Sequence, residues 1–408
     1  MSKNSVNRRK FVAGLAATVV APAVLRLATR PLSAQTLNLA GDGRTNDLAA
    51  IREMLVEAER RGRGTIKLPE GRFLLASGDK SPALVLPANV RLEGAGADRT
   101  TLLMADGAFG HVISGPYGWV QIADLTVDGN ESNRSGTGHN FRLTGDHITI
   151  ERVRSINALS YSIALGQRRF ARNVVIRDVE IVNAGSDGID IKNDLDRTEN
   201  ILIENVTVRG FGRPLKSLAP NLVGTASDVR NNKAGVDLRG RCEVRGLTVE
   251  GVLADRDGLR FRHGEKGEGH GAGAHGSKAS NVTISGGPGG KASVGISVVA
   301  RDIHLENIRL DGTDIGIFAG AKNLTVSGGR IGRVDRAALF ARPTRISAPD
   351  RIDVEGVHFQ RGSRFTFRNL NSVQFKGCEF EDCREVAKAN AVATTPVEFV
   401  DCRFAETC

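Results

Sequence analysis

Asn173-Val174-Val175-Ile176-Arg177-Asp178-Val179-Glu180-Ile181 is the stretch from which the fold can be read. Its apolar residues at 174, 176, 179 and 181 alternate with period two, and the alternation slips by one at Asp178. Period two belongs to strands. An Asn, Asp or Gly at the slip marks a corner, because these residues tolerate left-handed backbone. The phrase recurs as NILIENVTV from Asn200 and DIHLENIRL from Asp302, and twelve copies begin at residues 89, 119, 147, 173, 200, 241, 281, 302, 323, 351, 372 and 396. Most lie 21 to 30 residues apart, with two wider steps of 41 and 40. Short alternating strands repeated at that length form a solenoid.

A second short strand of the form Gly-apolar-x-apolar closes many coils, as in Gly188-Ile189-Asp190-Ile191, Gly235-Val236-Asp237-Leu238 and Gly258-Leu259-Arg260-Phe261. Each coil therefore turns at least twice and stacks parallel on the next. The predicted class is all-β: a single-stranded, right-handed parallel β-helix of about twelve coils, with the hand taken from the general crossover preference. An N-terminal capping α-helix precedes it. Leu48, Ile51, Met54, Leu55 and Ala58 are apolar at helical spacing after a Thr45-Asn46-Asp47 cap, and Gly62 and Gly64 end the run. Such a helix covers a sheet end that would otherwise recruit other strands.

Residues 1–34 read as a removable export signal. Arg8-Arg9-Lys10-Phe11 precedes an uncharged apolar stretch from Phe11 to Leu25, then Pro31-Leu32-Ser33-Ala34. That stretch is shorter than the ~20 residues that span a bilayer, and the Arg pair resembles a twin-arginine signal. No other segment is suited to crossing a membrane. The expected location is periplasmic or secreted, with residues 35–408 forming the β-helix domain. The formal charge of +10 falls to +4 once the six basic residues of the signal are removed. That is too mild for nucleic acid, and the alternation leaves no basic helix to read one. Cys378 and Cys402 share an inward slot on consecutive coils, followed by Cys383 and Cys408. They read as core residues, with a disulfide in either pair as the alternative; Cys242 reads as core.

GDGRTNDLAAI from Gly41, GTIKLPEGRFLL from Gly64 and LVLPANVRLEGAG from Leu84 together resemble the N-terminal signature of the pectate-lyase superfamily, shared with relatives of glycoside hydrolase family 28. The resemblance implies a right-handed β-helix that acts on, or binds, polysaccharide. It does not select a reaction. Ser186-Asp187-Gly188-Ile189-Asp190 also resembles the family 28 motif, which would make Asp187 a catalytic carboxylate, although Ala234-Gly235 stands where paired aspartates are expected on the next coil.

Aligning the second strands gives rows of side chains about 4.8 Å apart along the axis. One row runs Arg142, Ala164, Asp190, Asp237, Arg260, Ser297; two residues on, another runs Thr144, Gly166, Lys192, Arg239, Arg262. A glycine strip (188, 235, 258, 295) lies beside them, open to a ligand. On an exposed wall, stacked carboxylates repel unless one takes a proton or finds a cation. The arrangement suits a uronate: Asp190 and Asp237 would hold Ca²⁺ or the sugar carboxylate, Arg260 or Lys192 would take the C5 proton, and Arg142, Arg239 and Arg262 would grip anionic sugar. Insertions at 213–234 and 263–278 flank the rows, the second bringing His263, His270 and His275. The expected activity is a lyase cleaving acidic polysaccharide by β-elimination. A family-28-like hydrolase and a non-catalytic glycan-binding solenoid are the alternatives; oligomeric state is open.

Overall fold

In the computed structural model, residues 39–78, 81–134, 136–193, 195, 197–212, 233–264, 273–287, 292–344, 347–360, 363–381 and 396–405 are described, together with a backbone strand at Pro31–Leu32. Among them, twenty strands form one sheet and eleven a second; every pairing is parallel within a parallel β-helix. The rest of the segment expected to be an export signal, most of the 213–234 insertion, His270, Cys383 and Cys408 lie outside the described residues.

The corners are left-handed as the slip residues require: φ is +53° at Asp178, +52° at Asn205 and +49° at Asn307. The residues that open eight of the twelve phrases (89, 119, 147, 173, 200, 281, 302 and 323) are left-handed as well, at +54° for Asn173 and +56° for Asn200. These positions stack into ladders. Asn200 Nδ2 donates to Asn173 Oδ1 at 2.6 Å, and Asn173 Nδ2 donates to Asp146 Oδ1 at 2.7 Å. The corners do not break the strands. Ala171–Ala184 is one strand of 14 residues, paired on both sides through its bends, where two shorter strands were expected. A single left-handed residue redirects the chain while its neighbours keep their ladder bonds.

Inward residues form one continuous core: Val174, Ile176, Val179 and Ile181 are buried, and Cys242 stacks on Ile201 as a core residue. Cys378 and Cys402 are free thiols stacked on the same ladder, so they form no disulfide with each other. The helix Leu48–Arg60 buries Leu48, Ile51, Met54, Leu55 and Ala58, the predicted face. The cap lies in the expected segment, with Asp47 at the N-cap but its side chain making no capping bond. The Asp47 carboxylate accepts from the Ala40 and Gly41 N–H groups, while Asn46 Oδ1 receives the Leu48 N–H. No helix among the described residues is long and apolar enough to cross a membrane.

Candidate active site

The eleven-stranded sheet pairs Arg142 with Ala164, Ala164 with Asp190, Asp190 with Asp237, and Asp237 with Arg260. Asp190, Asp237 and Arg260 are therefore successive rungs, as the alignment predicts. Each projects between two inward apolar residues, Asp190 between Ile189 and Ile191 and Arg260 between Leu259 and Phe261. The wall is not exposed, however. Asp190 and Asp237 are both 0% exposed, Arg239 5% and Arg260 6%.

The reason is diagonal pairing between coils. Each arginine two residues past the row reaches back over the aspartate of the preceding coil. Arg239 Nη1 donates to Asp190 Oδ1 at 2.5 Å, and Arg262 Nε to Asp237 Oδ2 at 2.9 Å. Arg239 Nη2 and Arg260 Nη1 stand 3.3 and 3.6 Å from Asp237 Oδ2, while Arg260 Nε donates to Asp257 Oδ2 at 2.6 Å. Lys192 Nζ lies 3.4 Å from Asp190 Oδ2. Arg260, held by two carboxylates whose charge outweighs the effect of burial, keeps its proton more firmly than usual and is not placed to act as a base. The glycine strip is closed too. A Cβ at Gly188 would stand 2.5 Å from the Gly235 carbonyl, and one at Gly235 2.7 Å from that of Gly258. These glycines permit coil-to-coil contact rather than ligand approach.

Asp187 completes a carboxylate triad: oxygens of Asp187, Asp190 and Asp237 lie within 4.8 Å of one another. Asp187 Oδ1 accepts the Ala234 N–H at 2.7 Å. Burial, then the charges of Asp190 and Asp237, push its pKa up to about 6. Burial also pushes Asp237 up, but Arg239, Arg262 and Arg260 outweigh it and hold that carboxyl far below the usual range. One neighbourhood thus separates two carboxyls by function: one always charged, one titrating near neutrality.

A Ca²⁺ at Asp190 and Asp237 does not fit these residues. Four cations, Lys192, Arg239, Arg260 and Arg262, already face the four carboxylates 187, 190, 237 and 257. A Ca²⁺ taking 6–8 oxygens would bring two further positive charges to carboxylates that these four cations already face, with Lys233 also acting on Asp187.

The row two residues before the inward position carries a further set that the sequence reading passed over. Backbone bonds stack His139 on His111, Tyr161 on His139's coil, and Asp187 on Tyr161's coil. Ring centroids are 4.5 Å apart for His111 and His139, and 4.8 Å for His139 and Tyr161. The His139 N–H donates to His111 Nδ1, so a neutral His111 carries its proton on Nε2. Burial, with Arg142 and Arg134 beyond it, lowers His111 to about 4, and burial with His111 and Arg142 lowers His139 well below its ordinary value. Both imidazoles are neutral at pH 7. Burial, then Asp190 and Asp187, raise the Tyr161 phenol, which keeps its proton. Lys192 and Lys233 hold their ammonium groups 5.6 and 6.0 Å from the Tyr161 ring centre. Applying the same alignment to this row, which reads His139, Tyr161, Asp187, Ala234, Asp257, would have found it.

Arg142 stands two rungs from Asp190, with Ala164 between, beside the imidazoles rather than the carboxylates. His263 packs edge-on against His275 at 5.0 Å.

No family model matches this chain. Alginate lyase 7 of Azotobacter vinelandii is 31% identical over 169 residues, which are 36% of this chain and 19% of that protein. Mannuronan C5-epimerase AlgE4 of the same organism is 31% identical over 165 residues, 36% of this chain and 30% of that protein. The chain thus matches less than a third of the length of either relative. Among solved structures, the A-module of AlgE4 superposes with a TM-score of 0.57 at 19% identity, covering 91% of this chain and 96% of the module. The tailspike of E. coli bacteriophage HK620, solved with a pentasaccharide, gives 0.50 at 14% identity over 90% of this chain and 64% of the tailspike. The chain has the parallel β-helix fold of these proteins, as the superfamily resemblance implies.

Proposed function

We propose that the chain is an exported enzyme acting on a uronate polysaccharide of the alginate type, and that its reaction begins with removal of the C5 proton. The observation that carries this reading is the buried triad with its split protonation, set beside Tyr161, Lys192 and two neutral imidazoles. The C5–H of a uronate becomes acidic when its carboxylate is neutralised. Lys192 and Arg142, both half-buried, are the cations open to that role. Asp187, ionised above about pH 6, is the group whose pKa suits a base near neutrality. Tyr161, which holds its proton, is the donor. Asp190, Asp237, Arg239 and Arg260 fix the field around them, and Arg262, with a side chain 34% exposed, reaches toward sugar.

In β-elimination, Asp187 takes the C5 proton, the electron pair forms the C4–C5 double bond, the C4–O bond breaks, and the leaving oxygen takes the Tyr161 proton. A second reading shares the first step: Tyr161 returns a proton to the opposite face of C5, which inverts that centre. The likeness to mannuronan C5-epimerases favours keeping it. Inverting hydrolysis is disfavoured, because the triad oxygens are closer than the ~6.5–9.5 Å that reaction needs. Incubation of the mature chain with polymannuronate separates these outcomes. Elimination gives an ultraviolet-absorbing unsaturated end, epimerisation gives guluronate signals in the proton spectrum without chain cleavage, and neither product from any uronate polymer would refute the proposal.

A further inference from the structure

The left-handed ladder that opens the first five phrases reads Asn89, Trp119, His147, Asn173, Asn200, stacked in register. All five have φ between +53° and +61°. Asn accepts that backbone readily; a bulky side chain there is an outlier. Trp119 is thus a strained rung in a ladder otherwise built of amides and one imidazole, and it is the one tryptophan of the chain. The Trp119 and His147 rings stack 3.9 Å apart at 13°, Trp119 remains 39% exposed, and His147 Nδ1 is 2.8 Å from Asp146 Oδ1. Strain kept at an exposed tryptophan, where Asn would serve the fold, points to a use for the ring face.

The surroundings say for what. Trp119 is the second residue of the strand Gly118–Asp128, just past the Pro116–Tyr117 bend that follows the eleven-stranded sheet; on later coils the position of Pro116 carries Lys192, Arg239 and Arg262. Its own coil is three rungs before that of Asp190, about 14 Å along the axis. On the second of the two intervening coils, the turn after Ile163–Leu165 carries Arg168 and Arg169, and Arg172 opens the strand that follows. Arg169 Nη1 reaches Pro116 O in the bend before Trp119 at 2.5 Å, and Arg142 is close enough to Arg168 for their charges to repel. Asp146, bonded to Arg172 and Asn173 and 2.8 Å from His147 Nδ1, is the acid at that position.

We propose that Trp119, backed by His147, is a remote sugar-stacking platform that holds an anionic polysaccharide by one ring face while Arg142, Arg168 and Arg169 meet its carboxylates. It rests on the uronate reading of the site and adds where the chain of sugars runs: along the axis toward the N-terminal coils. The single tryptophan reports binding directly. Titrating the intact protein with an alginate oligosaccharide should change its fluorescence saturably, and a neutral cello-oligosaccharide should not. Trp119→Asn restores the amide ladder, so it should melt no lower than the parent, raise KM for long polymer roughly tenfold and leave kcat unchanged. A fluorescence signal indifferent to alginate, an equal response to the neutral sugar, or an unchanged KM in Trp119→Asn would overturn the platform. Those results leave the chemistry intact, whereas absence of turnover on uronate polymers would remove the chemistry while the titration still decides the platform.

Discussion

Replacing Asp187 by asparagine should stabilise the protein at pH 8 while slowing its turnover by orders of magnitude. The carboxyl titrates at about 6 when folded, against 3.8 when free. Below pH 3.8 the proton is bound in both states, so burial of the neutral acid costs nothing by this route. As pH rises from about 4 through 6, the unfolded chain ionises first, and folded-state stability falls by about 3 kcal/mol before levelling off. An amide removes that penalty and keeps an oxygen for the Ala234 N–H, which Asp187 now satisfies at 2.7 Å. The Asp187→Asn variant should therefore melt higher than the parent by on the order of 5 °C at pH 8 and equally at pH 4. Its turnover should fall by ~10²–10⁴, the usual worth of a positioned base. Thermal denaturation at the two pH values, alongside a product assay, reads both. A variant destabilised equally at pH 4 and pH 8 would refute the reasoning, because the carboxylate would then be held charged by its neighbours.

Tyr161→Phe preserves the ring between His139 and the two lysine ammonium groups and removes the proton. It should lower kcat by ~10²–10⁴ with KM and melting temperature little changed; unaltered kcat would take Tyr161 out of the reaction. Chelation with EDTA should leave turnover and melting temperature where they were, since arginines supply the charge at Asp190 and Asp237; activity lost to EDTA and restored by Ca²⁺ would restore the metal to that pair. Trp119→Asn, described above, should weaken polymer binding without loss of stability.

What could be read in advance was whatever depends on local period. The slip at Asp178 and its equivalents gave the corners, the aligned Gly-apolar-x-apolar segments gave the rungs, and Asp190, Asp237 and Arg260 fell where alignment put them. Burial was not legible, because it depends on Arg239 and Arg262 reaching diagonally across coils that are 49 and 25 residues from their aspartates in sequence. Arg260 looked like a free base for the same reason: its partner Asp257, three residues away, sits on a row that was not aligned. His111, His139 and Tyr161 lie on the row that precedes the glycine strip, and nothing in their local sequence period separates that row from the backbone access that the packed coils deny.

The central claim is that the chain's chemistry starts at C5 of a uronate. It is tested most directly by running the reaction on polymannuronate in D₂O and following C5 by proton resonance. The account predicts that the C5 proton is lost, either into an unsaturated end or through exchange for deuterium at an inverted centre. Shortened chains whose new reducing ends still carry the original C5 proton would contradict it.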